Sequence, residues 1–429
     1  MNVRKHVSLN LNVRGLNHSA TLAINDLSNE LRGDGKVVYR AGLGQSPFPV
    51  PVPVVDALRL YAYEKNYLPA RGLYALREAV AEFHRNKDGV DAMAENVIIG
   101  PGSKELMFLL QLVYYGELLV PTPCWVSYIP QARIIGRQIS LIHTNAKDHW
   151  KMTAKKLEEH CRMEEDDYRP RILVLNYPNN PVGNTYSEKE LKKLAEVARK
   201  YEVVLLSDEI YGQLHHQGKH ISVARFYPEG TIISSGISKW CGAGGWRLGT
   251  FTFPPALDWL LEKMAVVASE TYTSVSAPIQ CAAVSAFRGS VKIERYLWHA
   301  RRILAKLGNK SASIFNKAGI RVCAPEGAFY LFLDFSPSTK KLKKHGIKNG
   351  NDLCEKLLRE TGVAMLPGSV FGRPEDELTA RFAYVDFDGA KALTASETIP
   401  LEQPLPDDFI DHWCGNVIKA AQAIIDWIS

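Results

Sequence analysis

The sequence predicts an α/β chain in two parts. One is a three-layer αβα unit around a mainly parallel sheet; the other is a smaller α+β unit formed by the N- and C-terminal segments. Three observations carry this. At 429 residues the chain exceeds what one hydrophobic core ordinarily serves. From about Tyr74 to Phe253, short β-branched runs alternate with segments of helical period, the pattern of strands linked by crossover helices. Beyond roughly Lys292 the texture changes to one long helical pattern, followed by strands separated by helices.

Taken in order, "ENVIIG", "GELLVP", "RQISLIHT", "RILVLNYP", "EVVLLSD", "GTIISSG" and "RLGTFTF" read as buried strands, because near-continuous apolar runs belong to strands covered on both faces. Between them, "SEKELKKLAEVARKY" opens with a capping box, Ser187 with Glu190, and sets Leu191, Leu194, Ala195 and Ala198 on one face. A long helix is expected from Lys292 to Ala318. The strands "GAFYLFLDF", "VAMLPG" and "ARFAYVDF" then build the smaller unit. Thr394 to Asp408, rich in proline and acid, reads as a loop before a C-terminal helix. The first fifty residues are too few for a core of their own. The expected division is therefore 1–50 packing with the small unit, 51–304 as the large domain, and 305–429 as the small one.

Bulk properties exclude several classes. The net charge of +6 is spread along the chain, which suits an anionic ligand but not nucleic acid. The patch "KKLKKHG" (340–346) reads as a solvated face rather than a polyanion site. The most apolar stretch, Leu106 to Val120, is short and interrupted by Gln111, Gly116 and Glu117, so no membrane association is expected. Seven scattered cysteines without a CxxC pair, and an N-terminus lacking a signal-peptide core, point to a cytoplasmic protein. No metal site is expected: "HHQGKH" (215–220) lacks carboxylate or cysteine company and reads as a solvated loop. "GAGGWRLG" is not a dinucleotide fingerprint, and Cys241 reads as a packing residue.

Ligands of open parallel sheets sit beyond the carboxyl ends of the strands. After "ENVIIG", Gly102 and Ser103 open a helix whose free N–H groups suit a phosphate, or Ser103 is simply a cap. Later strand exits bring Trp125, the Asn179–Asn180 turn, Asp208 with Tyr211, and finally the glycine-rich "SGISKWCGAGGWRLG" holding Lys239 and Arg247. Each alone has a bland reading as core or turn. Asp208 ends an apolar run, where a carboxylate demands a cationic partner. In combination they supply a phosphate cradle, an aromatic plate, an amide, a carboxylate, a phenol, an amine and a guanidinium. Pyridoxal 5′-phosphate is the cofactor that asks for this set.

Carried on "YLPARGLYALREAV", "GSKELMF", "PCWVSY", "PNNPVG", "SDEIY", "GISKWCGAGGWRLG", "PEGAFYLF" and "LPGSVFG", the chain resembles the class I pyridoxal phosphate-dependent aminotransferases of fold type I, nearest the prokaryotic-type aspartate aminotransferase branch. The resemblance runs from Ser19 to Phe387. It implies that Lys239 forms the Schiff base with the cofactor, and that Arg247, Ser238 and the N–H groups of Ser103 and Lys104 hold its phosphate. It further implies that Trp125 stacks on the ring, Asp208 pairs with the ring nitrogen, and Tyr211 and Asn180 bond the ring oxygen. Arg381 is then the fork for the substrate α-carboxylate, with Gly44, Asn180 and Trp125 lining the substrate. Tyr67 reaches the phosphate of a neighbouring subunit, implying a homodimer with shared sites. Lys104 and Thr21 resemble residues that recognise a distal carboxylate.

The implied reaction is amino transfer between an L-amino acid, aspartate or another dicarboxylic one, and a 2-oxo acid such as 2-oxoglutarate, in ping-pong order. A donor of aromatic or neutral side chain, a β-eliminating lyase, and a non-catalytic cofactor-binding regulator are the alternatives. The chain departs from the family at Gly236, at Val182, at "GQS" (44–46) and in the insertion 400–406.

Overall fold

In the computed structural model of the chain, residues 9–16, 20–163 and 169–429 are described, with backbone alone for 20–23 and 25. Among the described residues, seven strands form one sheet: β1 (Val97–Gly100), β2 (Glu117–Thr122), β3 (Ile139–His143), β4 (Arg171–Asn176), β5 (Val204–Asp208), β6 (Thr231–Gly236) and β7 (Gly249–Thr252). Their order is β1-β7-β6-β5-β4-β2-β3, with β7 antiparallel to both neighbours and β2 to β6 parallel throughout.

Alternating side chains of the central strands enter two cores, as strand geometry requires. Leu118, Val174 and Leu206 pack with Leu106, Leu110, Leu260 and Met264 from helices Ser103–Val113 and Asp258–Glu270. Their chain neighbours Leu119, Leu173 and Leu205 pack on the other face with Leu157, Leu191 and Leu194. The helix Glu188–Lys200 starts at the expected capping box: the Glu190 N–H donates to Ser187 Oγ at 3.4 Å, and Ser187 N–H donates to Glu190 Oε2 at 2.7 Å. The fold class read from the sequence is the one observed.

The smaller unit carries an antiparallel sheet ordered β8-β10-β9, from β8 (Tyr330–Asp334), β9 (Leu366–Pro367) and β10 (Thr379–Ala383). The long helix Val291–Lys317 packs beside it. N-terminal residues join this unit: Tyr39 N–H donates to Gly362 O at 2.9 Å, and Ala383 N–H donates to Ala41 O at 2.8 Å.

Three expectations need correction. β3 is half-exposed rather than buried, because it is the edge strand. Thr394 to Glu397 belong to the helix Gly389–Glu397; Asp388, whose side chain accepts from Lys391 N–H, caps a helix that the proline-rich tail conceals in sequence. "HHQGKH" is not a solvated loop throughout: His220 Nε2 lies 2.7 Å from Glu209 Oε2 in a buried pair. That carboxylate lies within "DEIY", 11 residues before His220.

Candidate active site

Because β7 runs against the other strands, its start lies at the same sheet edge as the ends of β1, β2, β4, β5 and β6. Arg247, two residues before β7, is thereby brought to the N-terminus of Ser103–Val113. Its Nη2 donates to Pro101 O at 3.3 Å and its Nη1 to Gly244 O at 2.8 Å. Two glycines permit this approach. A Cβ on Gly102 would stand 2.1 Å from Arg247 Nη2, and one on Gly249 would stand 2.1 Å from the Ser103 backbone nitrogen. Gly102 rather than Ser103 occupies the capping position, so no side chain claims the first N–H groups of that helix. Gly236 is likewise dictated by space, since a Cβ there would meet Leu248 O at 2.7 Å.

These elements wall a cleft of about 560 Å³ lined by Gly44, Ser103, Lys104, Trp125, Asn180, Asp208, Tyr211, Ser238, Lys239, Arg247, Tyr330 and Arg381, among others. Eleven of the thirteen residues singled out in the sequence thus reach one cavity. Lys239 Nζ donates to Gly44 O at 2.6 Å and lies 5.7 Å from the Tyr211 ring centre. Burial, then the positive charges of Arg381 and Arg247, push the Lys239 amine down to about 8. Lys104 stands over Trp125, its Nζ 5.2 Å from the ring, and is lowered by burial and by Arg247.

Asp208 is buried at the end of β5. Its Oδ2 accepts from Tyr128 Oη at 2.5 Å and its Oδ1 from Ser234 Oγ at 3.4 Å. Among the described residues no cationic group lies within ion-pair distance of it, and burial raises its carboxyl to about 6. The charge of Lys239 acts on it in the opposite direction, without an ion pair among the described residues. Arg381, also buried, donates from Nη1 to Asn180 Oδ1 at 3.0 Å and from Nη2 to Gly42 O at 2.6 Å. Its Nε is buried without a hydrogen-bond partner among the described residues. Gly42, not Gly44, is the glycine whose carbonyl braces this guanidinium; Gly44 braces the lysine.

Two expected residues stand apart. Tyr67 is 91% exposed and does not line the cleft of its own chain. Thr21 falls in the helix Ala20–Gly33, but its side chain lies outside the described residues.

Three participants were missed. Tyr128, the last residue of "PCWVSY", holds Asp208. Asn176 braces the strand exits, its Nδ2 donating to Asp208 O at 2.9 Å and its Oδ1 accepting from Asn180 N–H at 2.8 Å. Tyr330 closes the cleft against Tyr211. The signal for Tyr128 was its place three residues beyond Trp125 at a helix start; that for Tyr330 was its place in "PEGAFYLF".

The site fits pyridoxal phosphate. The glycine-cleared helix terminus with Arg247 suits its phosphate, and the buried Asp208 carboxylate, oriented by Tyr128, suits its protonated ring nitrogen. Lys239, lowered toward neutrality, suits its aldehyde. Comparison with known proteins agrees. Residues 54–384 match the family described as aminotransferase class I and II. The chain is 32% identical over 397 residues to the aspartate aminotransferase of Geobacillus stearothermophilus, covering 90% of this chain and 95% of the relative. It is 30% identical over 374 residues to the aspartate aminotransferase of Bacillus subtilis, covering 85% and 92%. Its fold matches that of the Thermus thermophilus aspartate aminotransferase solved with maleate, with a TM-score of 0.80 at 28% identity, covering 90% of this chain and 97% of that one.

Proposed function

The chain belongs to the class I and II aminotransferases, pyridoxal phosphate-dependent enzymes, and we propose that its amino donor is aspartate or another dicarboxylic amino acid, with 2-oxoglutarate as acceptor. One observation carries this reading: beside Lys239, and Arg247 at the helix terminus that suits the phosphate, the cleft is lined by two more cations suited to two carboxylates, Arg381 and Lys104. Maleate, found with the Thermus thermophilus relative, is itself a four-carbon dicarboxylate.

When bound, pyridoxal phosphate supplies an aldehyde that accepts the amino group and a protonated ring that draws electrons from the substrate Cα. In this reading Arg247, Ser238 and the N–H groups of Ser103 and Lys104 hold its phosphate. Trp125 packs on its ring, Asp208 holds the proton on its ring nitrogen, and Tyr211 with Asn180 bonds its ring oxygen. Arg381 takes the substrate α-carboxylate as a fork, which fixes the Cα–H bond in the cleft. Lys239 Nζ removes the proton from Cα; an amine near 8 is neutral often enough at physiological pH to serve as that base. The amino acid leaves as its 2-oxo acid before the second 2-oxo acid enters, so the order is ping-pong.

Lys104 decides the donor. Lys104→Ala is expected to lower kcat/KM for aspartate about 10- to 100-fold, the worth of a hydrogen bond to a charged group. It should leave that for alanine within about twofold. An equal loss for both donors would place Lys104 in phosphate binding alone. Measuring both donors against 2-oxoglutarate is sufficient.

We also read the working unit as a homodimer. Tyr67 lies outside its own cleft, and it, Leu60 and Tyr63 are each exposed large apolar residues, the kind that a partner covers. Sedimentation should give twice the chain mass, and a fully active monomer would exclude a shared site. The same reading divides the chain into a cofactor-binding domain over 51–304, a small domain over 305–429, and residues 1–50 packed on the latter. No helix among the described residues is long and apolar enough to cross a membrane. The seven cysteines are all free thiols, which fits a cytoplasmic setting.

A further inference from the structure

Tyr330 is assigned no role by the family resemblance, yet it touches both halves of the site. It begins β8, where it faces Ala383 of β10, while Arg381 faces Phe332. Tyr330 and Arg381 are therefore diagonal neighbours on one face of the small sheet, the spacing at which long side chains meet. The Arg381 guanidinium carbon lies 4.8 Å from the centre of the Tyr330 ring and 5.0 Å from that of Phe371. At its other end, the Tyr330 hydroxyl lies 2.7 Å from the hydroxyl of Tyr211. Both phenols are buried. The backbone holds this end in place, because a Cβ on Gly44 would stand 2.3 Å from the Tyr330 oxygen.

We propose that Tyr330 is a positioning residue with two separable parts: its hydroxyl orients Tyr211 toward the cofactor ring oxygen, and its ring holds the plane of Arg381 for the substrate carboxylate. This rests on the proposed placement of the cofactor at Tyr211 and of the carboxylate at Arg381. The proton count argues for the first part. Two hydroxyls at 2.7 Å share one proton between them. When Tyr330 donates, the proton of Tyr211 is left free for the cleft, and Tyr211 is a stronger donor for being itself an acceptor. Burial holds both phenols neutral, so each has a proton to give. The second part follows from the planar guanidinium: rings packed within 5.0 Å of its carbon limit its rotation, and its N–H edge is where it hydrogen-bonds.

Two variants separate the parts. Tyr330→Phe keeps the ring and removes the hydroxyl; Tyr330→Leu removes both. The readouts are the pH titration of the visible absorption of the loaded enzyme and the KM for 2-oxoglutarate. The charged and titratable groups facing this pair are Tyr211, Arg381, Lys239 and Asp208, all left intact. A donor at the ring oxygen favours the form in which that oxygen carries unshared negative charge. Weakening it in Tyr330→Phe is expected to move the titration midpoint upward by about half a pH unit or more. KM should stay within about twofold, because the ring remains. In Tyr330→Leu the midpoint should move similarly and KM should rise about tenfold.

An unmoved midpoint in Tyr330→Phe overturns the hydroxyl's role, and equal KM values in the two variants overturn the ring's. Failure here is distinct from failure of the underlying reading. Borohydride reduction of the wild-type enzyme tests that reading: it should fix the cofactor on the peptide containing Lys239, whatever Tyr330 does.

Discussion

Lys239→Ala is expected to lower the rate of amino transfer by about 10⁴-fold or more, since one side chain supplies both the amine that anchors the cofactor and the base that takes the Cα proton. The fold should survive the change. Among the described residues the Lys239 side chain makes one hydrogen bond, to Gly44 O, and the charges of Arg381 and Arg247 disfavour its ammonium, so deletion relieves repulsion as well as removing a contact. An unchanged or raised melting temperature alongside the lost rate would separate chemistry from stability. Retention of more than about a tenth of the wild-type rate would remove Lys239 from the mechanism.

The same amine sets a pH dependence on cofactor uptake by the apoenzyme. Only the neutral amine attacks an aldehyde. With the group at about 8 instead of its ordinary 10.5, roughly 10² times more of it is neutral at pH 7.5. The uptake rate should therefore climb with pH up to about 8 and level off above it, where an ordinary lysine would still be climbing.

How much of this was legible in the sequence follows from what each feature depends on. Strands β4 and β5 were plain because burial on both faces turns them into continuous apolar runs. The residues at their exits were plain because a parallel sheet sends every such exit to one edge. The contacts that arm those residues were not, since they join distant parts of the chain. Tyr128 meets Asp208 across 80 residues, Tyr330 meets Tyr211 across 119, and Asn180 meets Arg381 across 201. Burial and Arg247 were foreseeable causes of a lowered Lys239. Arg381 comes second only to burial among those causes, and that required the small sheet to be folded against the large one. The His220–Glu209 pair is closer in sequence, 11 residues apart, and forms because the chain folds back on itself through the short helix Gly212–Leu214 between its members.

Arg381→Ala is the second large effect, and its pattern across substrates distinguishes it from Lys104→Ala. The guanidinium is braced on one side by Asn180 Oδ1 and Gly42 O and faced by the rings of Tyr330 and Phe371, with Nε unpartnered. Among the described residues a buried fork so held has no anionic partner, and an α-carboxylate is the group shared by every amino acid and 2-oxo acid. Losing two charge-assisted hydrogen bonds at about 1.5–3 kcal/mol each lowers kcat/KM by roughly 10²- to 10⁴-fold. The loss should be of similar size for aspartate and alanine, because the α-carboxylate is common to both, whereas Lys104→Ala should spare alanine. Arg381→Lys should recover little, since an ammonium keeps the charge but not the planar fork. Removing a buried side chain also strands Asn180 Oδ1, so some loss of stability is expected and must be measured beside the kinetics. Cofactor uptake by the variant supplies the control: it should proceed, because none of the groups proposed to hold the phosphate is touched. A variant that takes up cofactor and keeps kcat/KM within tenfold of wild type would mean that the carboxylate binds elsewhere in the cleft.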